Sequence, residues 1–277
     1  MEFLQPPTWR EALEARVEHP GAVPIWGGTD VMVEMNFARS RPDVLLDLTQ
    51  VDELSRWEAV DGWIRIGAGV PYTRVIEELG AVLPGLAMAS RTVGSPQIRN
   101  RGTIGGNLGS SSPAGDALPP LFAAGADVEV ASVRGSRRLP VEEFIVGPKK
   151  NVLADDELIA AACVPVRAGA AQQFAKVGTR NAMVIAVCSF ALDLRESGVG
   201  TCIGSAGPTP IRAREAEAFA SSLSSLSDAD AARFGELVAQ AASPIDDVRG
   251  TAAYRRHALS VLARRTLTWA WEERACA

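Results

Sequence analysis

Ile25-Trp26-Gly27-Gly28-Thr29-Asp30-Val31-Met32 decides how this chain folds, together with Arg101-Gly102-Thr103-Ile104-Gly105-Gly106-Asn107-Leu108. In the first stretch a short apolar run, Ala22 to Trp26, meets paired glycines and then a helical segment through Met35. This reads as strand, tight turn and helix. Paired glycines lack Cβ atoms and reach positive φ, so their amides can converge into an anion-binding nest. A helix that follows adds free N–H groups and its dipole. Thr29 and Thr103 add hydroxyl groups. Taken singly, each cluster also fits a plain tight turn, Asp30 and Asp116 fit helix caps, and Asn107 fits a left-handed backbone. Facing each other, two such loops can hold a pyrophosphate.

Outward from the first cluster, Thr8-Trp9-Arg10-Glu11 is a capping box, and Pro20-Gly21 ends the helix it opens. Val44 to Leu48 is the next strand. Residues 1–55 therefore read as a small α/β unit. Trp63 to Ala68 is a strand, Pro71 opens a helix, and a second helix covers Leu83 to Ser90. Gly94 to Gly115 reads as a long glycine-rich polar loop, a type that is usually functional. Asp116 is placed to cap a helix through Ala124. Ala126 to Ser132 and Ser136 to Leu139 form a hairpin around Gly135.

Beyond Val166-Arg167-Ala168-Gly169, the expected linker, three antiparallel strands are predicted. They are Gln172 to Gly178, Ala182 to Leu194 and Gly200 to Ala206, with the last turn at Gly198 to Gly200. Amphipathic helices over about 211–222, 228–241 and 250–273 complete an α+β chain.

Composition removes whole classes of function. The 277 residues are 47% hydrophobic, enough for a core, and the formal charge of −5 argues against nucleic acid or an anionic membrane as partner. No apolar run approaches the roughly 18–20 residues that span a bilayer, and Met1 to Pro6 lacks a signal pattern, so a cytoplasmic protein without membrane insertion is expected. Cys163, Cys188, Cys202 and Cys276 are isolated, which disfavours a metal site or an iron–sulfur cluster held by this chain and suits small buried hydrophobes. His19 and His257 are the only histidines, and both fall at helix ends or surfaces. No catalytic side chain is assigned, and a bound cofactor is expected to carry any chemistry. No G-x-G-x-x-G follows a strand, since Gly67-Ala68-Gly69 lacks the third glycine, and no G-K-[ST] occurs.

The glycine clusters together resemble the FAD-binding medium subunit of the xanthine dehydrogenase and carbon monoxide dehydrogenase group of molybdenum hydroxylases. The likeness runs through Gly-Gly-Thr-Asp at 27–30, Arg-Ile-Gly-Ala at 65–68, Gly-Thr-Ile-Gly-Gly-Asn at 102–107 and Ser-Pro-Ala-Gly-Asp at 112–116. It continues with Asp-Glu-Leu-Ile at 156–159 and Phe-Ala-Lys-Val at 174–177, and covers nearly the whole chain. The resemblance implies a fold of the p-cresol methylhydroxylase (PCMH) and vanillyl-alcohol oxidase type. An FAD-binding domain would span 1–167, as subdomains of about 1–55 and 56–167, and a C-terminal domain of small sheet and helices would span 168–277.

It also implies a non-covalent FAD. Ile25, Trp26, Gly27, Gly28, Thr29, Asp30, Val31 and Met32 would form one cofactor loop, and Gly102, Thr103, Ile104, Gly105, Gly106 and Asn107 the other. Asp116 would accept hydrogen bonds from the adenosine end, Leu158 or Ile159 would pack at the adenine, and Lys176 would lie near the flavin as a cation that raises its potential. The resemblance assigns the molybdenum cofactor to a large partner subunit and two [2Fe–2S] clusters to a small one, and implies a dimer of heterotrimers. Electrons would leave through FAD to NAD, a quinone or oxygen. Trp269 and Trp271, at i and i+2 on the last helix, cannot both point inward, which leaves one for another subunit. A self-contained flavin oxidoreductase and a non-catalytic nucleotide-binding component remain the alternatives. Flavin reduction by a small substrate without partners marks the first, and nucleotide binding without turnover the second.

Overall fold

Thr8 opens the first helix: its Oγ1 accepts from the Glu11 amide at 3.3 Å. In this computed structural model, which describes residues 1–276, α1 (Trp9–Glu18) buries Ala12 and Leu13. It links strands of a parallel sheet, β1 (Glu2–Leu4), β2 (Val23–Ile25) and β3 (Val44–Asp47), ordered β1-β3-β2. Parallel neighbours require a crossover, and α2 (Val31–Asn36) lies in the connection from β2 to β3. The short edge strand β1 was not foreseen, because three residues carry no readable period.

Next come β4 (Trp57–Val60), β5 (Trp63–Gly67), α3 (Tyr72–Glu78), α4 (Pro84–Thr92), α5 (Pro96–Arg99), α6 (Ile104–Ser110) and α7 (Leu118–Ala124). The hairpin of β6 (Asp127–Ser132) and β7 (Gly135–Pro140) follows, then α8 (Val141–Phe144), a small pair β8 (Ile145–Gly147) and β9 (Lys150–Asn151), and β10 (Leu158–Pro165). Five strands join as β4-β5-β10-β6-β7, all antiparallel, with β10 central and buried throughout.

The stretch 94–115 is not one loop. Ser95 caps α5, its hydroxyl accepting from Ile98, and Thr103 caps α6, its Oγ1 accepting from the Gly106 amide at 2.9 Å. In α6 the Thr103 cap offsets part of the low helix propensity of the glycines, and the Ile104 and Gly105 amides are further held by the Val70 and Ala68 carbonyls. Thr103→Val is expected to cost about 1 kcal/mol through loss of that cap, read from the urea midpoint. Asp116 caps nothing: α7 starts after Ala117 without a side-chain cap.

The third sheet, β11 (Ala171–Val177), β12 (Cys188–Arg195) and β13 (Gly198–Gly204), is antiparallel in chain order. β12 starts later than expected, because residues 178–187 leave the ladder and Met183 has φ of 51°. The β12–β13 turn is Glu196-Ser197, since Arg195 pairs with Gly198. Alternation divides the sheet's faces. Phe190, Leu192, Leu194, Val199 and Ile203 pack with α9 (Arg214–Ser221), α10 (Asp228–Ala241) and α11 (Ala252–Cys276) in one core. Ala191 and Cys202 face the larger core, where α7 crosses the sheet so closely that a Cβ on Gly200 would stand 2.0 Å from the Ala123 carbonyl oxygen.

Cys163, Cys188 and Cys202 are free and buried, while the side chain of Cys276 lies outside the described part. Trp271 packs against the C-terminal core under Arg274, and Trp269 is the exposed member of that pair. No helix of the described residues is long and apolar enough to cross a membrane.

Candidate functional site

The two glycine clusters, more than seventy positions apart by their numbering, touch. A Cβ built on Gly27 would lie 1.9 Å from the Arg101 carbonyl oxygen, and one on Gly102 would lie 3.4 Å from Thr29 Oγ1. Tertiary hydrogen bonds hold the second loop: the Tyr72 amide donates to Gly102 at 3.1 Å and the Gly105 amide to Ala68 at 3.0 Å. Gly28 takes φ of 71°, which redirects the chain into α2. Trp26 lies over Gly69, whose missing Cβ makes room for the indole.

Beside this junction runs a cleft of ≈ 520 Å³, within the range of cofactor sites. Ile25, Trp26, Gly27, Gly28, Thr29, Asp30 and Val31 line it, as do Gly102, Thr103, Gly105, Gly106, Asn107, Leu158 and Ile159. Met32, Ile104, Asp116 and Lys176 do not. Met32 is exposed on α2, and Ile104 is fully buried in the larger core.

The two loops differ in what they offer. Among the described residues, the amides of Gly27, Gly28, Thr29 and Asp30 find no backbone acceptor. Those of Gly102, Ile104, Gly105, Gly106 and Asn107 are already bonded within the protein. The first loop is therefore the donor nest. The second supplies close approach, since a Cβ on Gly106 would meet only Thr103 Oγ1, at 3.2 Å.

Lys176 is no free cation. Its Nζ stands 2.5 Å from Asp116 Oδ2 and also donates to the Thr92 carbonyl at 3.2 Å, with both charged side chains buried. Burial pushes the Asp116 carboxyl up, and Lys176 pulls it back down. Asp116 Oδ1 is buried without a partner. Its chain neighbour Gly115 lines the cleft, as does Val93, which follows Thr92.

Several lining residues escaped the reading of the sequence. Tyr72 lines the cleft, and burial and Asp116 push its hydroxyl above the usual phenol range, so it stays protonated. Arg16, from α1, lines one end; it donates to the Ala22 carbonyl at 2.6 Å, and its Nε is buried without a partner. Burial lowers its pKa, opposed by Asp155 and Asp156. Glu157 also lines the cleft, held below the usual carboxylate range by Arg137. Ile185 reaches the cleft from the segment between β11 and β12. No local motif marks Tyr72, Arg16 or Ile185, whereas Glu157 lies in the quoted 156–159 segment and Gly115 in the quoted 112–116 segment.

Residues 1–167 match the family described as the FAD binding domain in molybdopterin dehydrogenase. The chain belongs to that family. Residues 172–270 match the CO dehydrogenase flavoprotein C-terminal domain. The nicotine 6-hydroxylase medium subunit of Paenarthrobacter nicotinovorans is 34% identical over 248 residues, covering 88% of this chain and 87% of the relative. The xanthine dehydrogenase FAD-binding subunit of Escherichia coli O157:H7 is 30% identical over 273 residues, covering 94% and 92%. The solved carbon monoxide dehydrogenase of Hydrogenophaga pseudoflava, lacking the Mo-pyranopterin moiety, superposes with a TM-score of 0.93 at 26% identity over 99% of this chain and 98% of its own. The chain is thus an oxidoreductase subunit of PCMH-type fold with FAD as its cofactor. The residues fit that group: a nest of free amides suits a diphosphate, the bare Gly106 admits it closely, and the unpartnered Asp116 oxygen suits a hydroxyl.

Proposed function

We propose that this subunit carries electrons from the [2Fe–2S] clusters of a small partner, through FAD, to a final acceptor such as NAD, a quinone or oxygen. A large partner with the molybdenum cofactor oxidises the substrate, and the three chains assemble as a dimer of heterotrimers. FAD, when bound, links one-electron donors to acceptors that take electron pairs. The observation that carries this reading is the cleft at the junction of the two glycine clusters.

Within it, the amides at 27–30 bind the diphosphate, and Thr103, Gly106 and Asn107 close on it from the other side. Leu158 and Ile159 pack at the adenine end. Asp116 Oδ1 accepts from a hydroxyl of the cofactor while Lys176 neutralises the carboxylate. Residues 1–167 form the FAD-binding domain and 168–277 its C-terminal companion. The scarcity of histidine fits a chain whose work is binding and orientation. The medium-subunit relative supports a multi-subunit assembly.

The purified chain is expected to be yellow and to release FAD on denaturation. Isolated with its partners, it is expected to bring molybdenum and iron with it. A colourless protein that takes up no added FAD rejects the reading. A yellow chain reduced directly by a small substrate without partners rejects the relay.

A further inference from the structure

The structure assigns Arg255, on α11 of the C-terminal unit, as the positioning residue for one wall of the cofactor cleft. Its side chain is buried and stands at a three-way junction. Nη1 donates to the Val187 carbonyl at 2.9 Å and to the Ser205 carbonyl at 2.6 Å, and Nη2 reaches Asp247 Oδ1 at 2.5 Å. Both carbonyls lead to the cleft. Val187 ends the excursion 178–187, and two residues earlier Ile185 lines the cleft while remaining half exposed. The Ser205 amide donates to the Pro113 carbonyl at 2.9 Å, and Ser112 and Ala114, on either side, line the cleft as well.

One guanidinium thus ties the 178–187 excursion and the Ser205 turn to the same helix. The excursion needs such a tie. Among the described residues its other hydrogen-bonded ties are the Val187 amide on the Val177 carbonyl at 2.8 Å and the bonds from the Arg180 guanidinium to the Ala182 and Met183 carbonyls, which lie inside the loop itself. Arg255 is in turn held by Asp247, whose Oδ1 also accepts from the Arg249 amide at 2.8 Å and whose backbone pairs with Gly250. A charged donor with fixed fork geometry, pinned by a carboxylate, holds two carbonyls better than a flexible ammonium does. Arg255 lies in no motif read from the sequence. Its effect on FAD passes through Ile185 and the 112–114 segment, and rests on the cleft being the FAD site.

The test compares the full chain with its Arg255→Met and Asp247→Asn variants, by FAD titration and by hydrogen exchange of peptides covering 178–187. Arg255→Met is expected to weaken FAD binding about tenfold, the loss of one or two charge-assisted bonds. It is also expected to speed exchange in 178–187 while the β12–β13 hairpin keeps its protection. Asp247→Asn is expected to move both readouts in the same direction by less, and it decides the matter if Arg255→Met does not fold. Unchanged loop exchange and FAD affinity overturn the assignment, as does a loss of protection spread evenly over the C-terminal sheet. A wild-type chain that binds no FAD overturns the functional reading instead.

Discussion

Gly27→Ala is expected to yield a colourless protein. Its Cβ would fall 1.9 Å from the Arg101 carbonyl oxygen, 2.5 Å from that carbonyl carbon and 3.0 Å from the Gly102 nitrogen. All three are backbone atoms, so no rotamer change relieves the overlap. The Arg101–Gly102 backbone cannot easily retreat, since Gly102 donates to Ile98 at 2.7 Å and accepts from Tyr72. Overpacking of this kind costs about 1–3 kcal/mol or more. If that strain is relieved by parting the loops, the cofactor loses contact with both walls, and a loss near 3 kcal/mol corresponds to about a hundredfold weaker FAD binding. Gly106→Ala is the informative partner. Its Cβ meets only a hydroxyl at 3.2 Å and otherwise enters the cleft, so it is expected to weaken FAD binding without lowering the melting temperature. Gly27→Ala binding FAD as tightly as wild type would show that the loops do not close on the cofactor.

Lys176→Met is expected to destabilise the fold by about 3–5 kcal/mol at neutral pH, the cost of breaking a buried ion pair by removing one partner. The carboxylate left behind keeps only the Thr92 hydroxyl, at 3.3 Å. The effect carries a pH signature. Burial already raises the Asp116 carboxyl above its ordinary value, and Lys176 is the main opposing influence. Without the lysine, the folded-state pKa rises further above the unfolded value of about 3.9. A raised carboxyl pKa means that the folded state binds the proton more tightly. Its stabilising effect is fully present below the unfolded pKa and is lost as pH rises through the folded one. The deficit of Lys176→Met against wild type, measured by urea denaturation, is therefore expected to be larger at pH 8 than at pH 5. Equal deficits at the two values would mean that Asp116 does not depend on Lys176 for its charge.

Much of the architecture was legible because its signals are local. The Thr8 cap, the β6–β7 hairpin and the three C-terminal helices each depend on residues a few positions apart. Where the reading failed, pairing, capping or packing decided the outcome rather than a hydrophobic period. Of the two helices inside 94–115, α6 is glycine-rich, and it survives because Thr103 caps it and Ala68 and Val70 receive its first amides. β4 exists through its pairing with β5 rather than through any period of its own. Residues 182–187 looked like strand because their apolar side chains serve the cleft and the core rather than a ladder.

The glycine clusters, the missing metal-ligand spacings and the small share of histidine follow from the order of residues alone, and they sufficed to point to a nucleotide cofactor held by backbone. That Gly27 abuts Arg101, that Lys176 spends its charge on Asp116, and that Arg255 reaches two carbonyls beside the cleft are products of packing. Each joins groups about sixty or more positions apart or set in different sheets and helices. A chain's local preferences say nothing about such encounters until burial of its two cores brings those segments together.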